Sequence, residues 1–247
     1  MMAGMAVLRT AILGVLVSWT PLASAQEQEV DLELVLLADA SSSIDNAEIL
    51  FQRQGYATAI THSEVLNAIA GGLLQRIAVT YVEWGDQTSQ EVVVPWTIID
   101  GPGSAAAFAE ALLAQPRLAY GRNAIGSAIR KARELIETND IRGLRKVIDL
   151  SADSANSWNG PPLSTMRHEA DRAGIVINGL AILCRADACS GRPVGYDLEG
   201  AFADRIIIGP GSFVVTVDGE TSFADAVRRK LVLEIAIGEG AGRTVPR

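Results

Sequence analysis

Leu36-Leu37-Ala38-Asp39-Ala40-Ser41-Ser42-Ser43 decides how this chain is read. It closes an apolar run from Val30 to Ala38 that only Asp31 and Glu33 interrupt, as expected of a buried strand. After Ser43 the pattern turns helical, so the segment reads as strand, polar turn and helix. The turn sets an acid and two hydroxyls, Asp39, Ser41 and Ser43, at alternate positions. All three offer hard oxygen donors, which suit Mg²⁺ or Mn²⁺ better than a thiophilic ion. In open α/β sheets, ligands gather at the carboxyl ends of the strands, where this turn should lie. Ser and Asp also favour turns and helix N-caps because they bond free backbone N–H groups. The rest of the chain has to separate the two readings.

Downstream, residues 45–70 carry helical signals, with Asp45 and Glu48 spaced as a capping box. Ile77 to Trp84 reads as a second strand, and Glu91-Val92-Val93-Val94 begins a third after the turn cluster Gly85 to Ser89. So short a connection implies a hairpin, with the third strand antiparallel at a sheet edge, where Pro95 is tolerated. Ser104 caps an alanine-rich helix that Pro116 ends. The helix after Tyr120-Gly121-Arg122-Asn123 places Ile125, Ala128, Ile129, Ala132 and Ile136 on one face. Val147 to Leu150 is a fourth strand, ending in Ser151-Ala152-Asp153-Ser154. A helix to Ala173, closed by Gly174, precedes a fifth strand from Ile175 to Leu183. A short helix around Leu198–Ala203, a sixth strand from Phe213 to Val217 and a last helix complete the chain. The alternation predicts a doubly wound, mostly parallel open sheet, Rossmann-like, with one antiparallel edge strand and helices on both faces.

Asp39-x-Ser41-x-Ser43 at this place resembles the first motif of the metal-ion-dependent adhesion site in von Willebrand factor type A (VWA) domains. Two further turns match the family in order. Asn123-Ala124-Ile125-Gly126 stands where such domains carry a threonine three residues before a glycine, with Asn in place of Thr. An Asn carbonyl oxygen can still ligate a hard cation, although Asn123 could equally be the N-cap of the following helix. Leu150-Ser151-Ala152-Asp153 resembles the third motif, whose acid commonly acts through a bound water in the family. Asp149 is the competing acid, but it lies inside an apolar strand and needs a partner there, so it reads as structural. The resemblance is nearest to an uncharacterised group of exported bacterial VWA-like proteins, through Tyr81-Val82-Glu83-Trp84, Asn178-Gly179-Leu180 and the Gly209 to Val215 segment. It implies a metal set of Asp39, Ser41, Ser43, Asn123 and Asp153 holding Mg²⁺ or Mn²⁺. It also implies a non-catalytic module whose ion accepts a carboxylate from a protein partner.

The whole chain limits these readings. Nearly half of its 247 residues are hydrophobic, enough for a sizeable core, and its formal charge of −8 argues against phosphate-backbone binding. Arg9, the apolar stretch Ala11 to Val17 and Ala23-Ser24-Ala25 read as an export signal over residues 1–25, cleaved before Gln26. Residues 26–29 are then a short N-terminal segment, 30–237 the domain, and 238–247 a glycine-rich tail. The stretch before Pro21 is too short for a membrane span, and no later segment is long enough. An exported protein, periplasmic or secreted, favours a bond between Cys184 and Cys189. Zinc would need two more ligands, and His62 and His168 are far away in sequence.

A metal-dependent phosphoryl hydrolase is the main catalytic alternative. It would need a second acid two residues after Asp39, where Ser41 stands. Phosphate-loop, dinucleotide and Gly-x-Ser-x-Gly patterns are not found. A VWA-like scaffold with a degenerate metal site, motivated by Asn123, is the third reading.

Overall fold

The computed structural model describes residues 27–183, 195–218 and 222–236. Its centre is strand β1 (Gln28–Asp39), which is buried on both faces as a near-continuous apolar run should be. The pleat sends Leu32, Leu34, Leu36 and Ala38 into one core and Val35 and Leu37 into the other. Around it stand β2 (Ile77–Trp84), β3 (Gln90–Ile99), β4 (Ile141–Ala152), β5 (Ile175–Ile182) and β6 (Val214–Val217). The sheet order is β3-β2-β1-β4-β5-β6, and only β3 runs antiparallel, at an edge. Pro95 sits on that edge strand beside a register shift, and Thr80 Oγ1 donates to the Val94 carbonyl at 2.8 Å next to it.

Helices α1 (Asn46–Ile60), α2 (Ser63–Gly71), α3 (Pro102–Ala114) and α7 (Phe223–Ala236) contribute to the first core. Helices α4 (Ile125–Glu137), α5 (Leu163–Arg172) and α6 (Leu198–Arg205) contribute to the second. The expected capping box forms: Asp45 Oδ1 accepts from Glu48 N at 2.9 Å and Glu48 Oε2 from Asp45 N at 2.8 Å. The helical stretch over 45–70 is two helices, because His62 caps a new one, its Nδ1 accepting from Glu64 N. Strand β4 starts at Ile141, earlier than its hydrophobicity indicates. The added half pairs Gln28, Glu29 and Val30 with Ile141, Arg142 and Gly143 and is partly exposed, so it carries no apolar run. The proposed export signal and the Cys184–Cys189 pair lie outside the described residues.

Asp149 has its partner. Lys230 Nζ, on α7, lies 2.8 Å from Asp149 Oδ1 and 2.5 Å from Glu234 Oε1, and all three residues are buried. Asn178 Nδ2 donates to the same Glu234 oxygen at 3.0 Å. A second buried pair joins Arg53 on α1 to Glu83 on β2 at 2.7 Å. Arg53 also donates to the Gln115 and Pro116 carbonyls, and Glu83 Oε2 accepts from Leu118 N, so this pair ties down the loop that follows α3.

Candidate metal centre

The sheet order reverses at β1. The chain leaves it for β2 on one side and later returns to β4 on the other, so the carboxyl ends of β1 and β4 border the crevice expected to take a ligand. Asp39 is the last residue of β1, Asp153 directly follows β4, and Asn123 lies two residues before α4. Ser41, Ser43, Asn123 and Asp153 line one open cleft of about 400 Å³, together with Ser42, Arg122, Ser154 and Trp158.

The turn after β1 is held by its own backbone and by the loop 117–121. Asp39 Oδ1 accepts from Ser41 N at 2.8 Å, and Ile44 N donates to the Ser41 carbonyl at 2.9 Å. Ala40, Ile44, Ile49 and Ala119 form a small apolar cluster beneath it. Arg117 reaches across and donates to the carbonyls of Ala40 (2.6 Å), Ile44 (2.9 Å) and Ser41 (3.2 Å). Its guanidinium stacks over the Tyr120 ring at 4.6 Å. Ser42 N donates to the Gly121 carbonyl at 2.7 Å. A turn is precise only when such contacts fix it, and Arg117 does that for this one.

On the other side, the loop 154–162 closes against α4. Gly126 permits this: a Cβ there would stand 2.1 Å from the Pro161 carbonyl oxygen. Gly160 takes φ +80, a conformation costly for any other residue. Trp158 N donates to the Asn123 carbonyl at 2.8 Å, which positions both residues at the cleft. Asn123 is not the N-cap of α4. Ala124 holds that position and no side chain caps it.

The electrostatics at Asp39 are set by burial and by a second carboxylate. Asp39 is fully buried, and its Oδ2 has no hydrogen-bond partner among the described residues. Burial, and then the charge of Asp153, push the Asp39 carboxyl up to about 7, against hydrogen bonds from Ser41 and the Asp153 backbone. Ser41 Oγ and Ser43 Oγ lie 3.1 Å apart, and Ser43 Oγ donates to Asp153 Oδ1 at 3.4 Å. The donors are two carboxylates, two hydroxyls and an amide carbonyl, all hard oxygens suited to a Mg²⁺-type ion. Among the described residues, no three His, Cys, Asp or Glu side chains converge as a metal group, so any site here depends on the serines.

Sequence reading named all five of these residues but missed Arg117, Arg122 and Trp158. Each sits in a polar loop with no periodic pattern. Arg53, Lys230 and Glu234 were missed as well, but a signal existed for the last two. They stand four apart on the apolar stripe of α7, opposite an aspartate inside an apolar strand.

The family described as a protein of unknown function (DUF1194) matches residues 29–239, and the chain belongs to it. No curated protein matches in sequence. Solved structures match in fold. Proximal thread matrix protein 1 of the mussel byssus, in a structure with its metal-ion-dependent adhesion (MIDAS) motif occupied by zinc, superposes with a TM-score of 0.56 at 19% identity. That match covers 86% of this chain and 49% of the mussel chain. The pilus adhesin SpaC from Lactobacillus rhamnosus GG gives 0.54 at 15% identity, over 85% of this chain and 30% of its own. The vWF domain of the type V pili tip protein Mfa5 from Porphyromonas gingivalis gives 0.52 at 11%, over 87% and 98%. The fold is therefore of the VWA type. The chain spans about half the length of the mussel protein and less than a third of SpaC.

Proposed function

We propose that this member of the DUF1194 family is an exported, non-catalytic binding module that captures a carboxylate of a protein partner through a divalent cation. The observation that carries the reading is Asp39: a fully buried carboxylate with one unpartnered oxygen, set near a second aspartate at the crevice between β1 and β4. A buried charge of this kind costs several kcal/mol unless something neutralises it. Asp39, Ser41 and Ser43 would hold the ion, with Asn123 and Asp153 completing its shell directly or through water. The fit is in the donor chemistry: every candidate atom is a hard oxygen, and Ser41, Ser43, Asn123 and Asp153 line one cleft, with Asp39 two residues before Ser41.

When bound, Mg²⁺ or Mn²⁺ supplies the positive charge that inverts the local field and attracts an anionic ligand atom. The chain does the rest. The two carboxylates at most balance the charge of a divalent ion and do not exceed it. The serine hydroxyls and the Asn123 amide add donors without adding negative charge, and Arg117 keeps the β1 turn in place. Similar structures described as a byssal matrix protein, a pilus adhesin and a pilus tip protein support a binding role outside the cytoplasm. Among the described residues no helix is long and apolar enough to cross a membrane.

Calorimetric titration with Mg²⁺ and Mn²⁺ tests the ion site. The wild type should bind one ion weakly, and Asp39→Ala should abolish binding with an unchanged circular dichroism spectrum. Equal binding by both proteins would overturn the site and leave a VWA-type scaffold without it.

A further inference from the structure

A second cavity, of about 470 Å³, adjoins the first. The loop from Ser157 to Ser164 lines it, with Arg167 of α5 and Asp204 and Arg205 of α6. Trp158 lines both cavities and is 69% exposed, the largest apolar side chain presented to solvent there. An exposed tryptophan between two concavities is the residue type that most often anchors a protein interface.

The charges around it run against those of the whole chain. The formal net charge is −8, yet Arg122 lines the first cavity and Arg167 and Arg205 the second, against Asp204 as the one acidic lining residue of that second cavity. The two arginines of the second cavity are held at one end only. Arg167 Nη1 donates to the Asp204 carbonyl at 2.9 Å, and its Nε is buried. Arg205 is exposed and donates to Asn156 Oδ1 at 3.2 Å. Planar guanidinium groups at a cavity wall are suited to carboxylates.

We propose that the two cavities form one recognition surface for an acidic peptide segment of the partner. One carboxylate of the segment reaches the ion site, Trp158 packs on its backbone and apolar atoms, and further carboxylates meet Arg167 and Arg205. This inference rests on the ion-dependent reading above and adds to it the class of partner: an extended run of several acidic residues, where the ion alone would accept any single carboxylate.

The probe is fluorescein-labelled, C-terminally amidated hexaglutamate, with the amidated hexaglutamine as the counterpart lacking side-chain carboxylates, read by anisotropy at low salt with Mg²⁺ in large excess and again with chelator. The wild type should bind hexaglutamate only with Mg²⁺, bind hexaglutamine under neither condition, and lose affinity as salt is raised. Arg167→Glu with Arg205→Glu should weaken hexaglutamate binding by roughly tenfold or more, through like-charge contact, while calorimetric Mg²⁺ affinity stays unchanged. Arg205→Glu alone, on an exposed side chain, should show part of the loss without any question of folding. Trp158→Ala should weaken binding of the same peptide. If the metal-loaded charge-reversal variants bind hexaglutamate as well as the wild type, or the metal-loaded wild type does not bind it, the extended surface is wrong while the ion site stands. If calorimetry finds no ion bound, the ion-site reading fails first and takes this one with it.

Discussion

Asp149 and Glu234, beneath α7, close on Lys230, whereas Asp39, at the tip of β1, is set near Asp153 across two serines. Both places put two carboxylates in or near the protein interior. Burial is the largest force raising the carboxyl in each: Glu234 is pushed up to about 7, as is Asp39, and Asp149 is also raised. The opposing forces differ. Under α7 the charge of Lys230 pulls both acids back down, helped at Glu234 by the Asn178 amide. At Asp39 the opposition comes from hydrogen bonds by Ser41 and the Asp153 backbone, and none of it is a cation. The α7 cluster is buried, with Glu234 bordering a small cavity of about 170 Å³, while the other opens on the larger cleft lined by Ser43, Asn123 and Asp153. The chain buries a lysine against the α7 acids, whereas no cation is among the groups that set the Asp39 carboxyl.

Removing the internal cation should have the largest effect. Lys230→Met keeps most of the side-chain volume but strands two buried carboxylates. It should cost about 3–5 kcal/mol of folding stability at pH 7.5, seen as a large fall in the urea midpoint. Mg²⁺ should not restore the loss, because all three residues of the cluster are buried. A loss below about 1 kcal/mol would mean that the triad is not the permanent neutralisation described above.

The same experiment at the other pair should change sign. Asp39→Asn keeps an acceptor for Ser41 N and removes the buried charge. In the metal-free protein the Asp39 carboxyl titrates near 7 when folded, against an ordinary value of 3.8. A raised folded-state value means that its stability is fully present below about pH 4 and lost as pH rises through 7. The metal-free wild type should therefore be more stable at pH 5 than at pH 8. At pH 8 Asp39→Asn should be more stable than the wild type by on the order of 1–3 kcal/mol, below the roughly 4 kcal/mol that the full shift would give at about 1.4 kcal/mol per unit. Glu234 acts in the same direction, so part of the pH slope should remain in the variant. Added Mg²⁺ should raise the wild-type midpoint at pH 8, leave Asp39→Asn unmoved, and bind the wild type about tenfold more weakly per pH unit below 7 as protons compete. A variant less stable than the wild type at pH 8 without metal would erase the contrast between the two pairs.

The sheet was legible because its strands are apolar over most of their length. β1 buries both faces, and the hairpin to β3 is announced by a short polar turn and Pro95. The polar half of β4 was hidden because its partly exposed backbone needs no apolar side chains. The five candidate ligand residues were legible as types at strand ends, since hard oxygens in such turns have few other patterns. What brings them together was not. Arg117 contacts the β1 turn from more than 70 residues away through backbone carbonyls, which leave no trace in residue type. Trp158 reaches the cleft through a loop whose course depends on a close approach at Gly126. Asn123 shows the limit of local propensity: its sequence context allows an N-cap, but the chain places Ala124 there and leaves Asn123 lining the cleft.

The smallest effect expected is at that residue, and it tests how far the open pair extends. Asn123 is 8% exposed and caps no helix, so replacing it by Thr removes no capping bond and should change stability by less than about 0.5 kcal/mol. Both side chains are neutral, so the charge of the ion site does not change. Thr places a hydroxyl oxygen one bond closer to the backbone and removes the amide NH₂, a donor group that cannot face a cation. Hydroxyl and carbonyl oxygens are comparable donors to a hard ion. Mg²⁺ affinity of Asn123→Thr should therefore equal or exceed that of the wild type, by roughly threefold at most. Asn123→Ala, which offers no oxygen, should fall below both. Calorimetric titration of the three proteins at one pH reads the order directly. If Asn123→Ala binds as well as the wild type, Asn123 is outside the donor set and the site contracts to the β1 turn and Asp153. If Asn123→Thr alone loses affinity, the longer reach of the amide is what this cleft requires.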